Sequence, residues 1–245
     1  MLFRHSVERW RETVARHIGA IPGATVDYVL AWFDKESGGY TQRTATDDPS
    51  KCRNPPCERG LTQIHQSELE GMGLNVAAFN KYIQPTRPGT ALAEWDMGIA
   101  MRHIAYIRDR ARDRLSSRGV SWDGDASSLY RITKLVHALP AFVDAVLDLY
   151  TADHGSGPPD WFTLMDHVEA RVRAGDPRLA RFKRYDKIPP QTVEGGIRRL
   201  TKGTNYVGYF LDGGRPSNNV LMALVTGNTA ALGVALNLTH AIARR

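Results

Sequence analysis

Apolar residues recur along most of this chain at helical spacing, and sustained two-residue alternation is nearly absent. That pattern constrains the fold more than any other feature. Met97, Ala100, Ile104, Ile107, Ala111 and Leu115 make one long stripe, and the Arg108–Arg114 run supplies its charged faces. Val26, Val29, Leu30 and Phe33 make a second stripe, and Val7, Trp10, Val14 and Ile18 a third. The spacing predicts helices near 6–18, 23–37, 62–71, 94–116, 127–138 and 140–150, with Pro140 as the first residue of a new helix. A further helix is expected from Trp161 to Ala174. The fold class is therefore mainly α. With 245 residues, 42 % of them hydrophobic, the chain can form one large or two small domains. Gly155-Ser156-Gly157-Pro158-Pro159 reads as a linker, which predicts a main domain over 1–150 and a C-terminal helical extension over 151–245.

The second stripe ends in Glu36-Ser37-Gly38-Gly39. Glu36 lies three residues beyond Phe33, at the edge of the apolar face, while Lys35 points to the opposite side. Gly38 and Gly39 stop the helix there. Desolvation disfavours the ionised carboxylate, and the negative end of the helix dipole acts in the same direction. The spacing thus offers a carboxylic acid that keeps its proton, the kind of group that protonates a glycosidic oxygen. It equally describes an ordinary solvated glutamate at a helix end.

A second segment adds to this reading. Arg59-Gly60-Leu61-Thr62-Gln63-Ile64 follows after a polar loop. Glu-Ser-Gly followed by Gly-Leu-x-Gln-Ile resembles the catalytic domain of lytic transglycosylases, the bacterial and phage enzymes that cut peptidoglycan glycan strands. The resemblance covers about residues 22–145 and implies a lysozyme-like fold. It makes Glu36 the catalytic acid and base. Gly60, Leu61 and Gln63 become substrate-binding residues of the cleft wall, and Ser37 supports the geometry of the glutamate. Thr62 stands where the family often has Met. Asp96-Met97-Gly98-Ile99-Ala100-Met101-Arg102-His103-Ile104 resembles the family's Asn-Ile-x-x-Gly-x-x-Tyr-Leu helix, with Asp96 for Asn, Ala100 for Gly and His103 for Tyr. Val136-His137-Ala138-Leu139-Pro140 falls where the family has Ala-Tyr-Asn-Ala-Gly-Pro, so the helper tyrosine is missing. His137 is the candidate polar replacement, although a lone histidine beside apolar residues is also an ordinary core or rim side chain.

The chemistry implied by the resemblance needs one carboxyl group, whereas ordinary glycosidases use two. The substrate's N-acetyl group stabilises the charge at the anomeric carbon, and the deprotonated glutamate then takes the muramic acid C6 hydroxyl proton, closing a 1,6-anhydro ring. Asp34, Asp47, Asp48 and Glu58 are the nearby carboxylates. Asp34 projects away from the Glu36 face, and Asp47-Asp48-Pro49 reads as a turn. A water-activating aspartate would instead give lysozyme-type hydrolysis. No cofactor is implied.

The loop between the two segments holds both cysteines, in Cys52-Arg53-Asn54-Pro55-Pro56-Cys57. Two cysteines with only His65 nearby do not make a four-ligand metal set, which leaves a disulfide or two free thiols. A disulfide suits an enzyme working outside the cytoplasm. The formal net charge of +6 suits an acidic polymer such as peptidoglycan, whose peptides carry carboxylates. No zinc finger or RNA-binding aromatic signature accompanies the basic residues, so specific nucleic-acid binding is not expected. No secretory signal opens the sequence, which points to a phage virion protein or, if processed, a periplasmic or cell-wall enzyme. Tyr185, Tyr206, Tyr209 and Phe210 are packing or sugar-stacking groups. Residues 220–238 carry no charge and reach the length of a membrane span, but Thr226, Asn228, Thr229 and Asn237 interrupt them. They read as a buried or interaction helix, or as a membrane-contacting one. Two functions follow: a peptidoglycan lytic transglycosylase of phage origin, or a virion structural or assembly protein that keeps the fold and binds other virion proteins.

Overall fold

A computed structural model describes residues 3–44, 58–75, 77, 85–180, 182 and 206–211. The Cys52–Cys57 loop, Asp47, Asp48, Tyr185 and residues 220–238 lie outside the described residues. The described residues are mainly helical, with β-pairing limited to isolated bridges among them. The chain divides into two compact units, Met1–Arg114 and Leu115–Arg245.

In the first unit, α1 (His5–Glu8) and α2 (Arg11–His17) pack against α3 (Val26–Glu36). Sequence spacing predicts one helix here, but the chain tightens at Arg9–Trp10. The Trp10 N–H bonds back only three residues, to Val7 O at 3.0 Å. The cause is tertiary. The fully buried Trp10 indole donates to Gly39 O at 2.9 Å, and the Arg9 guanidinium reaches the same carbonyl at 3.1 Å. Thr25 caps α3 by accepting the Tyr28 N–H. Burial on α3 is wider than one stripe, because Tyr28 through Phe33 are all fully buried. Tyr28 and Trp32 meet edge to face at 5.9 Å, a favourable aromatic arrangement.

A short α4 (Gln66–Gly71) and the long α5 (Ala91–Ser116) complete this unit's described helices. The expected helix over 62–71 begins four residues late, because residues 60–63 form a tight turn. Ile64, Leu69 and Met72 pack on Ile99 of α5, with Trp95 and Tyr106 beside them. The predicted stripe of α5 is buried from Met97 through Leu115.

In the second unit, α6 (Ala126–Ala138), α7 (Pro140–His154) and α8 (Trp161–Arg173) pack pairwise, and a one-turn α9 (Pro177–Ala180) follows. Asp125 and Asp160 cap α6 and α8 by accepting the N–H groups of Ser128 and Thr163. Pro140 opens α7 as expected, and Gly155 ends it in the left-handed region at φ 72°. The Gly155–Pro159 segment is packed within this unit. Trp122 Nε1 donates to Pro158 O at 3.0 Å, and Gly157 lies so close to Val120 that a Cβ would meet its Cγ2 at 1.9 Å. The segment is therefore a fixed turn between α7 and α8, and the boundary between the compact units falls elsewhere, after Arg114. No described helix is long and apolar enough to cross a membrane.

Candidate functional site

Glu36 is the last residue of α3, and the Ser37 N–H closes the helix on Phe33 O at 2.9 Å. Phe33 and Ser37 are buried, Glu36 is half-buried and Lys35 is exposed. The glutamate thus stands at the boundary of the core that its spacing predicts. The two glycines that follow are held from the other side. Ser6 Oγ donates to Gly38 O at 2.7 Å, while Trp10 and Arg9 hold Gly39 O. Gly39 has φ 81°, and a Cβ there would lie 2.1 Å from Ser6 O, so no side chain fits. Asp34 pairs with Arg4 at 2.5 Å.

The Gly60–Gln63 turn is built around backbone pairing of Arg59 with Ile64, whose N–H groups donate to each other's carbonyls at 3.1 and 2.7 Å. Gly60 has φ 78°. Gln63 has φ 54°, in the left-handed region that non-glycine residues seldom adopt. Its carboxamide compensates, since Nε2 donates to Gly60 O and to Arg43 O, each at 2.9 Å. Strain of roughly 1–3 kcal/mol at such a residue persists only where the surroundings over-determine it.

One hydroxyl joins the two segments. Ser37 Oγ donates to Leu61 O at 2.9 Å and also lies 3.1 Å from Phe33 O. It accepts the Gly39 N–H at 3.2 Å. The end of the helix that carries Glu36 is therefore tied to the Gly60–Gln63 turn by a fully buried bond.

Behind the turn lies a buried polar row. His103 of α5, fully buried, places Nδ1 2.9 Å from Thr62 Oγ1 and Nε2 3.0 Å from Glu68 Oε2. The same Glu68 oxygen accepts the His65 N–H at 2.9 Å, closing the capping box of α4. The imidazole is thus bracketed by the Thr62 hydroxyl on one nitrogen and the Glu68 carboxylate on the other. Two positions that depart from the transglycosylase pattern, Thr62 and His103, are thus hydrogen-bonded to each other.

A second row runs through Asp96 of α5. Thr86 Oγ1 donates to Asp96 Oδ2 at 2.8 Å, and the Thr86 N–H donates to Thr41 Oγ1 at 3.1 Å. Burial lifts the Asp96 carboxyl to about 6, against the opposing pull of the Thr86 hydrogen bond. Asp96 lines a cavity with Thr41, Gly60, Leu61, Thr62 and Ile99. The cavity holds about 10 Å³, space on the order of one water and far below a sugar ring.

Of the residues singled out by sequence, Ser37, Gly60, Leu61 and Gln63 share one hydrogen-bonded assembly at the end of the Glu36 helix. Gln63 is 5 % exposed and spends both amide protons on backbone, so it holds the turn and does not offer them to a ligand. His137 belongs to the second unit, half-buried in the last turn of α6. Tyr206 and Phe210 meet edge to face at 5.7 Å, as packing aromatics do. Sequence reasoning did not single out Asp96 as a proton-holding carboxyl. Its signal was an acid among Ala93, Met97 and Ala100, where the resembling helix has a neutral amide. No family model, curated protein or solved structure matches this chain.

Proposed function

We propose that this chain is a peptidoglycan lytic transglycosylase on a lysozyme-like fold, cleaving the MurNAc–GlcNAc β-1,4 bond with Glu36 as its single acid/base. The observation that carries the reading is the Ser37–Leu61 hydrogen bond, which ties the helix end bearing Glu36 to a strained, buried Gly-Leu-x-Gln turn. Two segments that resemble one enzyme signature, separated by a polar loop, thereby serve one piece of structure.

In this reading the Glu36 carboxyl gives its proton to the glycosidic oxygen as the C1–O bond breaks, and the N-acetyl oxygen of the substrate stabilises the charge at C1. The carboxylate left behind removes the C6 hydroxyl proton. O6 then closes on C1, giving the 1,6-anhydro product and restoring the acid. Phage entry or lysis is the setting proposed, with peptidoglycan strands as partner and the virion or the bacterial envelope as location.

The test is digestion of purified peptidoglycan by wild type and Glu36→Gln, with mass spectrometry of the released material. Anhydro-muropeptides from wild type, reduced at least about 100-fold in the variant, are expected for loss of a general acid. Reducing-end products would make the chain a hydrolytic muramidase. Release by neither protein would overturn the enzymatic reading and leave a virion structural role for the fold.

A further inference from the structure

The second unit carries a pair of histidines that the glycan-cleaving reading does not use. His154, the last residue of α7, places Nε2 3.3 Å from Nδ1 of His167 on α8. The rings stand 4.9 Å apart at 70°. Tyr150, one turn before His154, stacks on it at 4.3 Å and meets the His167 ring edge to face at 5.1 Å. The other nitrogen of His167, Nε2, lies 3.0 Å from Asp153 Oδ2, and Asp153 also pairs with Arg171 at 2.5 Å.

Each of these facts bears on metal binding. Tetrahedral zinc with bonds of about 2.0–2.1 Å sets two ligand nitrogens about 3.3 Å apart. A carboxylate near the ring nitrogen that faces away from the metal is a usual outer-shell arrangement of metal-bound histidine, and Asp153 stands in that place beside His167. Asp153 also offsets the positive charge of Arg171, the cation nearest the pair among these contacts. His154 is exposed, which leaves room for water ligands.

We propose that His154 Nε2 and His167 Nδ1 form a two-imidazole site for zinc or a similar borderline divalent metal, with the remaining positions open to solvent. On binding, the proton between the two rings moves through solvent to His154 Nδ1, which leaves both facing nitrogens as lone pairs for the metal. The proposal stands apart from the glycan-cleaving reading.

Zinc chloride titrated into the full chain tests it, followed by the long-range proton–nitrogen NMR signals of the imidazoles and by calorimetry. Saturable shifts of His154 Nε2 and His167 Nδ1 together are expected. Affinity at these signals should fall at least tenfold in His154→Ala and in His167→Gln, and less in Asp153→Asn. His154→Ala removes an exposed side chain, and its far-UV circular dichroism should match wild type. Glu36→Gln should bind zinc as wild type does. Imidazole signals of either residue unmoved at saturating zinc, or unchanged affinity in His154→Ala, would overturn the site.

Discussion

Asp96 sits in an environment that an aspartate seldom occupies. It is 9 % exposed, and its carboxyl is lifted from 3.8 to about 6. Below pH 3.8 the group is protonated in both folded and unfolded chains and costs nothing. Between about pH 4 and 6 the unfolded chain ionises first, so stability falls as pH rises. Above pH 6 the full penalty is present, roughly 3 kcal/mol from the size of the rise. Asp96→Asn should therefore stabilise the protein by up to about 3 kcal/mol at pH 7, with the gap closing below pH 4, as read by urea unfolding across pH. A gap independent of pH would contradict this account. Gln63 presents the opposite case, a strained backbone held by its own side chain. Gln63→Ala loses two hydrogen bonds and keeps the left-handed strain, for an expected cost of about 2–3 kcal/mol. Gln63→Gly loses the same bonds but relieves the strain, so it should unfold at higher urea than the alanine variant by about 1 kcal/mol of stability. The reverse order would mean that φ 54° at Gln63 carries no cost.

Among the elements, α4, α5 and the Gly60–Gln63 turn are joined by the Thr62–His103–Glu68 row. Thr62→Val removes one buried hydrogen bond and should cost about 1 kcal/mol. His103→Phe leaves the Glu68 carboxylate short of a buried partner and should cost about 2–4 kcal/mol. Because a phenyl ring in place of the imidazole already removes the hydrogen bond to the Thr62 hydroxyl, the double variant should cost less than the sum, and a double-mutant cycle measures the difference. Additive costs would mean that the two side chains act separately. The sequence made most of these elements legible because independent signals agree on them. On α6, α7 and α8 the apolar spacing and Pro140 point to helices whose ends the Asp125 and Asp160 caps and Gly155 then fix in the structure. It failed where a distant group decides the local backbone. The break at Arg9–Trp10 depends on Gly39 O, contributed from about thirty residues further on. The helix expected over 62–71 loses its first turn, because the Arg59–Ile64 pairing and the reach of Gln63 to Arg43 turn the chain there instead. The link from Ser37 to Leu61 is likewise invisible to spacing. Only the resemblance of both segments to one signature placed them together.

At the scale of the whole molecule, the division after Arg114 puts Glu36, Ser37, the Gly60–Gln63 turn, His103 and Asp96 in one compact unit and His137 in the other. Segment spacing could not locate that division, because the glycines and prolines of 155–159 look like a linker until Trp122 and Val120 are seen packed on them. What extends over the entire chain is charge. Lysine and arginine number 32 against 26 acidic residues, which gives the formal net charge of +6. If peptidoglycan is the substrate, its peptide carboxylates meet a field of opposite sign, and attraction between exposed charges weakens as salt shortens the Debye length from about 10 Å at 0.1 M to about 3 Å at 1 M. Glu36→Gln would separate binding from turnover, since it removes the proposed proton donor and leaves the net positive charge in place. Co-sedimentation of this variant with purified peptidoglycan should be strong at low ionic strength and fall several-fold by about 0.5 M sodium chloride. Release of muropeptides by wild type below substrate saturation should fall in parallel, while release at saturation changes little. Salt-independent sedimentation would assign recognition to short-range contacts in the cleft and leave the basic surface without a role in finding the wall.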